Sequence, residues 1–231
     1  MFVAIEGSDG AGKATQTGLL VDAFTRYGLA CETFAFPAYE QTLGGRLLGE
    51  LLSGRRGDFV HADPRLASLP YAIDRYESAG AIRRALDGGK AVVTDRYVGS
   101  NQIHQGGKVF AETDQISALE SYLEWLDELE YGVLRNPKPD LIVYLRVPLE
   151  TSLQLLLKKR AAKNHGLKDG DLDQVERDRG YLENSIAMAD WLAARSARWR
   201  AIVCTDTEGN MRSPEAIHED VWRTVMPLLR R

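Results

Sequence analysis

Cysteine is scarce: Cys31 and Cys204 are the only two in 231 residues. A disulfide framework is therefore excluded, and both thiols read as small core residues inside short apolar strands. No apolar run approaches the ~18 residues that a membrane span needs. The start MFVAIEGSDG carries neither a basic segment nor a small-residue cleavage site, so the expectation is a cytoplasmic protein, neither secreted nor membrane-spanning. A basic excess is missing too. Lys and Arg number 29 against 33 Asp and Glu, a net charge of −4, which argues against nucleic acid as a partner. Small anionic ligands remain open, because local basic groups decide those. There is no internal repeat and no interdomain linker, and the length suits one elaborated domain over residues 1–231.

The composition that is present, 44% hydrophobic and 27% charged, is that of an ordinary globular chain, and its pattern is an alternation. Short apolar runs fall at Phe2 to Ile5, Cys31 to Phe36, Ala91 to Thr94, Leu141 to Leu145 and Ala201 to Thr205. Several follow breakers such as Gly88-Gly89 or Pro137-Lys138-Pro139. Runs so nearly continuous in apolar residues mark strands buried on both faces, so the fold class is α/β, a five-stranded parallel sheet flanked by helices. Leu20, Phe24 and Tyr27 keep helical spacing up to Gly28, a good C-cap. Ile116, Leu119, Leu123 and Leu126 trace a second helix, and Ile217, Val221 and Val225 a third that opens on Ser213-Pro214. Leu66 to Leu86 is also periodic, with Pro70 either kinking that helix or starting it. Residues 158–173, KKRAAKNHGLKDGDLD, lack periodicity and read as a mobile lid, or more blandly as a solvated helix end and loop.

Gly7 to Lys13 fits G-x-x-x-x-G-K, following a strand and opening a helix, the context that makes this phosphate loop specific. Its backbone amides and the helix's positive dipole end would cradle the phosphates of ATP along residues 7–15, through Gly7, Gly10, Ala11, Gly12, Lys13, Ala14 and Thr15. Lys13 would neutralise charge on the transferring phosphate. The eighth position is Ala14, where a Mg²⁺-binding hydroxyl is expected, so one metal ligand is missing. Asp9 inside the loop is placed to help hold metal or acceptor.

A phosphate loop does not separate hydrolases, switches and kinases; residues for a second substrate do. At the carboxyl end of the third strand stands DRYVGSNQIHQGGK, where open α/β sheets place ligand chemistry. Asp95 offers a metal-directed carboxylate and Arg96 a guanidinium able to bridge phosphates. A strand-capping salt bridge is the bland alternative, weakened by the polar run Ser100, Asn101, Gln102, His104, Gln105 that follows.

With these motifs the chain resembles the thymidylate kinase family almost end to end. The resemblance rests on EGSDGAGKATQ (Glu6 to Gln16), FPAY (Phe36 to Tyr39), YAIDRYE (Tyr71 to Glu77), DRYVGSNQIHQGGK, NPKPDLIVYLRVP (Asn136 to Pro148) and DLDQVE (Asp171 to Glu176), in family order. It implies a three-layer P-loop fold with a mobile lid, and transfer of the γ-phosphate of ATP to dTMP, giving dTDP and ADP with Mg²⁺. By the same resemblance Phe36 is the family's aromatic after the second strand, beside Tyr39, which lies near the acceptor phosphate and Asp9; Tyr71 stacks on thymine, and Arg75 reaches the acceptor base or its phosphate. Arg96 binds the dTMP phosphate, Asp95 orients Mg²⁺ or its water, and Ser100, Asn101 and Gln105 surround thymine. His104 takes a place near the deoxyribose often held by an aromatic, a departure that bears on sugar discrimination. With Gly10 in the loop, the chain is similar to members whose catalytic cation comes from the lid, here Arg160, with Lys159 and Lys163 in reserve. Glu176, next to Asp173, matches an acid that takes part in Mg²⁺ binding alongside Asp9 and Asp95. The family also implies a homodimer built by helix packing. Competing readings are a kinase for another pyrimidine monophosphate, suggested by His104; a catalytically weak nucleotide-binding homologue, suggested by Ala14; and a P-loop switch or ATPase.

Overall fold

The computed structural model describes residues 1–112, 115–155 and 178–230. Five strands, β1 (Phe2–Gly7), β2 (Cys31–Ala35), β3 (Ala91–Asp95), β4 (Leu141–Arg146) and β5 (Trp199–Val203), form one sheet in the order β2-β3-β1-β4-β5. Every pairing is parallel. β1 is buried along its whole length, as a central strand covered on both faces must be.

Alternation along the strands sorts the core into two halves. Phe2, Ala4, Val92, Ile142 and Tyr144 face one side, against α3 (Pro64–Asp87), α4 (Val98–Glu112), α5 (Ile116–Asp127) and α6 (Arg179–Arg195). Val3, Ile5, Val93, Val143 and Leu145 face the other, against α1 (Lys13–Arg26) and α7 (Pro214–Val225). Phe2, Ile5 and Leu145 are almost wholly excluded from water, and burial of each such side chain contributes about 1.5–3 kcal/mol. α2 (Leu43–Leu52) packs on α3 beyond the sheet edge.

The helix ends obey local chemistry. Gly28 follows α1 with φ 81°, and the Leu29 amide returns to the Phe24 carbonyl at 2.9 Å. Ser213 caps α7 through the Ala216 amide. Pro70 lies inside α3, so it does not start that helix; Asp63 does, accepting from the Arg65 and Leu66 amides ahead of Pro64 at the first helical position. The last strand departs from expectation as well. The apolar run at 201–205 suggests a strand there, but β5 begins two residues earlier, because Trp199 and Ile202 supply its buried positions and Arg200 and Ala201 face outward. Cys204 is buried just beyond β5, and Cys31 is only half-buried at the start of edge strand β2. The 158–173 segment expected to form a lid lies outside the described residues, together with Lys159, Arg160, Lys163, Asp173 and Glu176.

Candidate active site

β1 and β3 are neighbours, and their carboxyl ends release the two loops that build the site. β1 ends at Gly7, where a Cβ would stand 2.9 Å from the Leu145 carbonyl oxygen of β4, so only glycine allows the loop to leave the sheet there. The loop then turns through Gly10 (φ 83°) and Gly12 (φ 88°), backbone states that glycine adopts without strain, and α1 begins at Lys13. Lys13 is buried, and its Nζ donates to the carbonyls of Gly7 (3.1 Å) and Ser8 (2.8 Å), 3.8 Å from the Asp9 carboxylate. The Ser152 hydroxyl, from the helical residues 149–155, donates to the Asp9 carbonyl and braces the loop. Gly7, Gly10, Ala11, Gly12, Lys13, Ala14 and Thr15 are thus assembled as a phosphate loop at a helix N-terminus.

From β3 the chain enters Asp95-Arg96-Tyr97. Arg96 has φ 66°, a left-handed conformation uncommon outside glycine. Its guanidinium pairs with the Asp9 carboxylate and donates to the Gly7 carbonyl at 3.4 Å. Burial would raise the Asp9 pKa, but Arg96 and then Lys13 outweigh it and hold the carboxyl well below the usual range. Lys13 is pulled down to about 8, by burial and by repulsion from Arg96.

All ten residues expected around the acceptor, Asp9, Phe36, Tyr39, Tyr71, Arg75, Arg96, Ser100, Asn101, His104 and Gln105, line one cavity of about 250 Å³. Phe36 packs on Tyr97 with ring centroids 5.6 Å apart, and Tyr71 faces Phe59 at 6.1 Å. Tyr39 is exposed at the rim. Asn101 donates through Nδ2 to the Ser68 carbonyl at 3.2 Å. The buried Gln105 Oε1 has no hydrogen-bond partner among the described residues.

The Ser100 hydroxyl donates to Glu6 at 2.6 Å, and the Arg75 guanidinium is held by Glu130.

Several contributors were not singled out by sequence. Glu6, fully buried, accepts from the Tyr97 amide at 2.7 Å as well as from Ser100, and so ties the first turn of α4 to the central strand. Burial pushes its carboxyl up despite these bonds. It stands inside the EGSDGAGKATQ motif, and an acid ending an otherwise apolar strand was the available signal. Glu130 sits in a π-helical turn (Glu128–Val133) and accepts from Arg75 Nε at 3.1 and 3.2 Å and from Asn136 Nδ2 at 2.7 Å. Pro37, Leu52, Tyr97 and Tyr181 complete the cavity wall. Nothing local in the sequence points to Leu52 or Tyr181.

The metal question turns on oxygen donors. Among the described residues no group of three or more His, Cys, Asp or Glu could hold an ion. Ala14 offers none, but it shares a neighbouring cavity with Asp95, Thr17 and Gln41, so a carboxylate stands in the same space as the absent hydroxyl. Such a donor set suits Mg²⁺, which keeps several waters and takes one or two carboxylates together with substrate phosphates.

Comparison with known proteins bears on the family and the fold. The family model described as Thymidylate kinase matches residues 5–185. The thymidylate kinase of Mycobacterium tuberculosis is 32% identical over 204 residues, covering 87% of this chain and 91% of that one. A probable thymidylate kinase of Thermococcus gammatolerans is 34% identical over 195 residues, 82% of this chain and 83% of its own. The solved thymidylate kinase structure from Candida albicans superposes with a TM-score of 0.71 over 98% of this chain and 91% of that chain, at 20% identity, which speaks for the fold. The chain belongs to the thymidylate kinase family of P-loop nucleoside monophosphate kinases.

Proposed function

We propose that the chain transfers the γ-phosphate of ATP to dTMP, giving dTDP and ADP, with ATP on the phosphate loop and dTMP in the 250 Å³ cavity beside it. The observation that carries this reading is the convergence of ten acceptor-side residues, drawn from the phosphate loop, the segment after β2, α3 and the β3–α4 junction, on one cavity that meets the loop at Asp9 and Arg96.

In this arrangement phosphoryl transfer is mostly a matter of positioning and charge. The loop amides and Lys13 hold the β- and γ-phosphates of ATP. Arg96 receives the phosphate of dTMP and brings its oxygen into line with the γ-phosphorus. Asp9 holds Arg96 in place until that phosphate competes for it. Phe36 and Tyr71 offer ring faces to the nucleoside, Asn101 and Gln105 its polar edge, and Arg75 a fixed cationic wall. Mg²⁺, when bound, supplies charge neutralisation across the donor phosphates, with Asp9 and Asp95 as the carboxylates available to the ion or its waters.

Arg96→Ala tests the assignment. It should lower kcat/KM for dTMP about a thousandfold, the measure of a missing phosphate-bridging arginine, while ATP affinity changes little; equal loss of both would show that Arg96 serves the donor.

The same reading extends to assembly and place. Leu66, Leu69, Ile73 and Tyr76 form an exposed apolar stripe along α3, joined by Leu43 and Leu47 of α2, and this face supports a homodimer built by helix packing. A sedimentation experiment that found only monomer at micromolar concentration would refute it. One sheet draws its strands from residues 2 to 203, which supports a single unit over the whole chain. Two free thiols fit a reducing, cytoplasmic setting.

A further inference from the structure

α4 and α6 approach closely at the site. A Cβ on Gly106 would stand 3.2 Å from Met188 Cε, and one on Gly107 would stand 3.1 Å from the Asn184 backbone. This contact sets the His104 ring flat on Tyr181, with centroids 5.7 Å apart and planes 7° from parallel, and puts Ser185 beside it. His104 Nε2 lies 3.4 Å from Arg96 Nη1, and Nδ1 lies 3.1 Å from Ser185 Oγ.

Donor counting fixes the protons. A guanidinium has only donors, so the Nε2 that faces it must present its lone pair. The imidazole hydrogen is then on Nδ1, and Ser185 Oγ must accept it. Ser185 can do so because its own hydroxyl hydrogen goes to the Tyr181 carbonyl at 2.8 Å. The chain Arg96, His104, Ser185, Tyr181 carbonyl closes with every hydrogen used once. Burial, reinforced by Arg96, pulls the His104 pKa down to about 3, which keeps the ring neutral as this bookkeeping requires.

We propose that His104 is a positioning residue for Arg96: a neutral imidazole whose Nε2 accepts from the guanidinium and so fixes the cation that grips the acceptor phosphate, held in its tautomer by Ser185. The proposal rests on the assignment of Arg96 to that phosphate. It gives the departure at position 104 a task other than filtering the sugar, and it ties α6 to phosphate binding.

Titration calorimetry on the full chain with dTMP and, separately, with thymidine tests it, since only dTMP carries the phosphate. His104→Phe keeps the ring stack and removes the acceptor; it should weaken dTMP about tenfold more than it weakens thymidine, the worth of one hydrogen bond to a charged group. His104→Gln offers an oxygen acceptor and should restore dTMP to within about threefold of the parent. Ser185 does not line the cavity. Ser185→Ala should therefore weaken dTMP about threefold without touching thymidine, and it carries the test if the phenylalanine variant fails to fold. Equal losses for the two ligands, or unchanged dTMP binding in both His104→Phe and Ser185→Ala, would overturn the proposal. Failure of the parent chain to bind dTMP at all would overturn the acceptor assignment beneath it, a different and separately visible result.

Discussion

Removal of the Glu130 carboxylate should damage stability and acceptor binding together, and the two effects should then be separable. Arg75 is 1% exposed and Glu130 not at all. Burial would lower the Arg75 pKa, and the Glu130 charge more than offsets it. Glu130→Ala deletes both acceptors of Arg75 Nε, the partner of Nη2 and the partner of Asn136 Nδ2, leaving Arg75, among the described residues, the Tyr97 carbonyl at 3.3 Å from Nη1. An arginine left uncompensated at such depth costs about 3–5 kcal/mol. At about 2–4 °C per kcal/mol for a chain of this size, Tm should fall by roughly 6–20 °C. Arg75 lines the acceptor cavity, so release of its guanidinium should also raise KM for dTMP at least about tenfold, while KM for ATP stays within about twofold. The double variant Arg75→Met with Glu130→Leu replaces the pair by apolar groups of similar volume; it should recover most of the lost stability but none of the dTMP affinity. Thermal melts followed by calorimetry, paired with a coupled ADP-release assay, measure both quantities. A Glu130→Ala variant whose Tm moved less than about 2 °C would refute the burial argument. Recovery of dTMP affinity in the double variant would refute the role of Arg75 in the cavity.

Two other outcomes follow from the site. Ala14→Thr returns a hydroxyl to the cavity it shares with Asp95 and should lower the Mg²⁺ concentration for half-maximal rate by about threefold or more, with little change in nucleotide preference; an unchanged Mg²⁺ titration would count against the account of the metal side. Acid should act on stability through His104. The unfolded chain takes up a proton there near pH 6.5 while the folded chain resists it down to about 3, so the unfolded state binds more protons in between, and the contribution is complete above pH 6.5 and lost as pH falls towards 3. Urea melts at pH 6, 5 and 4 should show the parent losing up to about 1 kcal/mol per pH unit more than His104→Phe, and parallel lines would exclude a neutral buried ring.

The sequence was most legible where one residue type alone satisfies the geometry. Gly7 and Gly12 occupy positions that a Cβ or an ordinary φ would forbid, and the central strands are apolar on both faces because both are covered. It was less legible where a local signal had a competitor. Pro70 drew attention as a helix start, although Asp63-Pro64 carries the same cap-and-proline signal as Ser213-Pro214. At β5 the apolar run Ala201 to Thr205 drew the reading past Trp199, the buried position at which the strand begins and which tertiary packing selects. The acceptor residues were recognised as a set, but their internal ties were not. Glu130 lies 55 residues from Arg75, and Ser185 lies 81 residues from His104, so no spacing rule links them. These ties are decided by packing of α3 against the π-helical turn after α5 and of α4 against α6, and only the fold brings those elements together.

The central claim is that the cavity receives dTMP. An acceptor panel of dTMP, dUMP, UMP and CMP, each assayed with ATP and Mg²⁺ for diphosphate product, tests it most directly. The geometry predicts the highest kcat/KM for dTMP, with dTDP and ADP formed one for one. A clear preference for any other acceptor, or tight binding of ATP and dTMP with no dTDP formed, would contradict it.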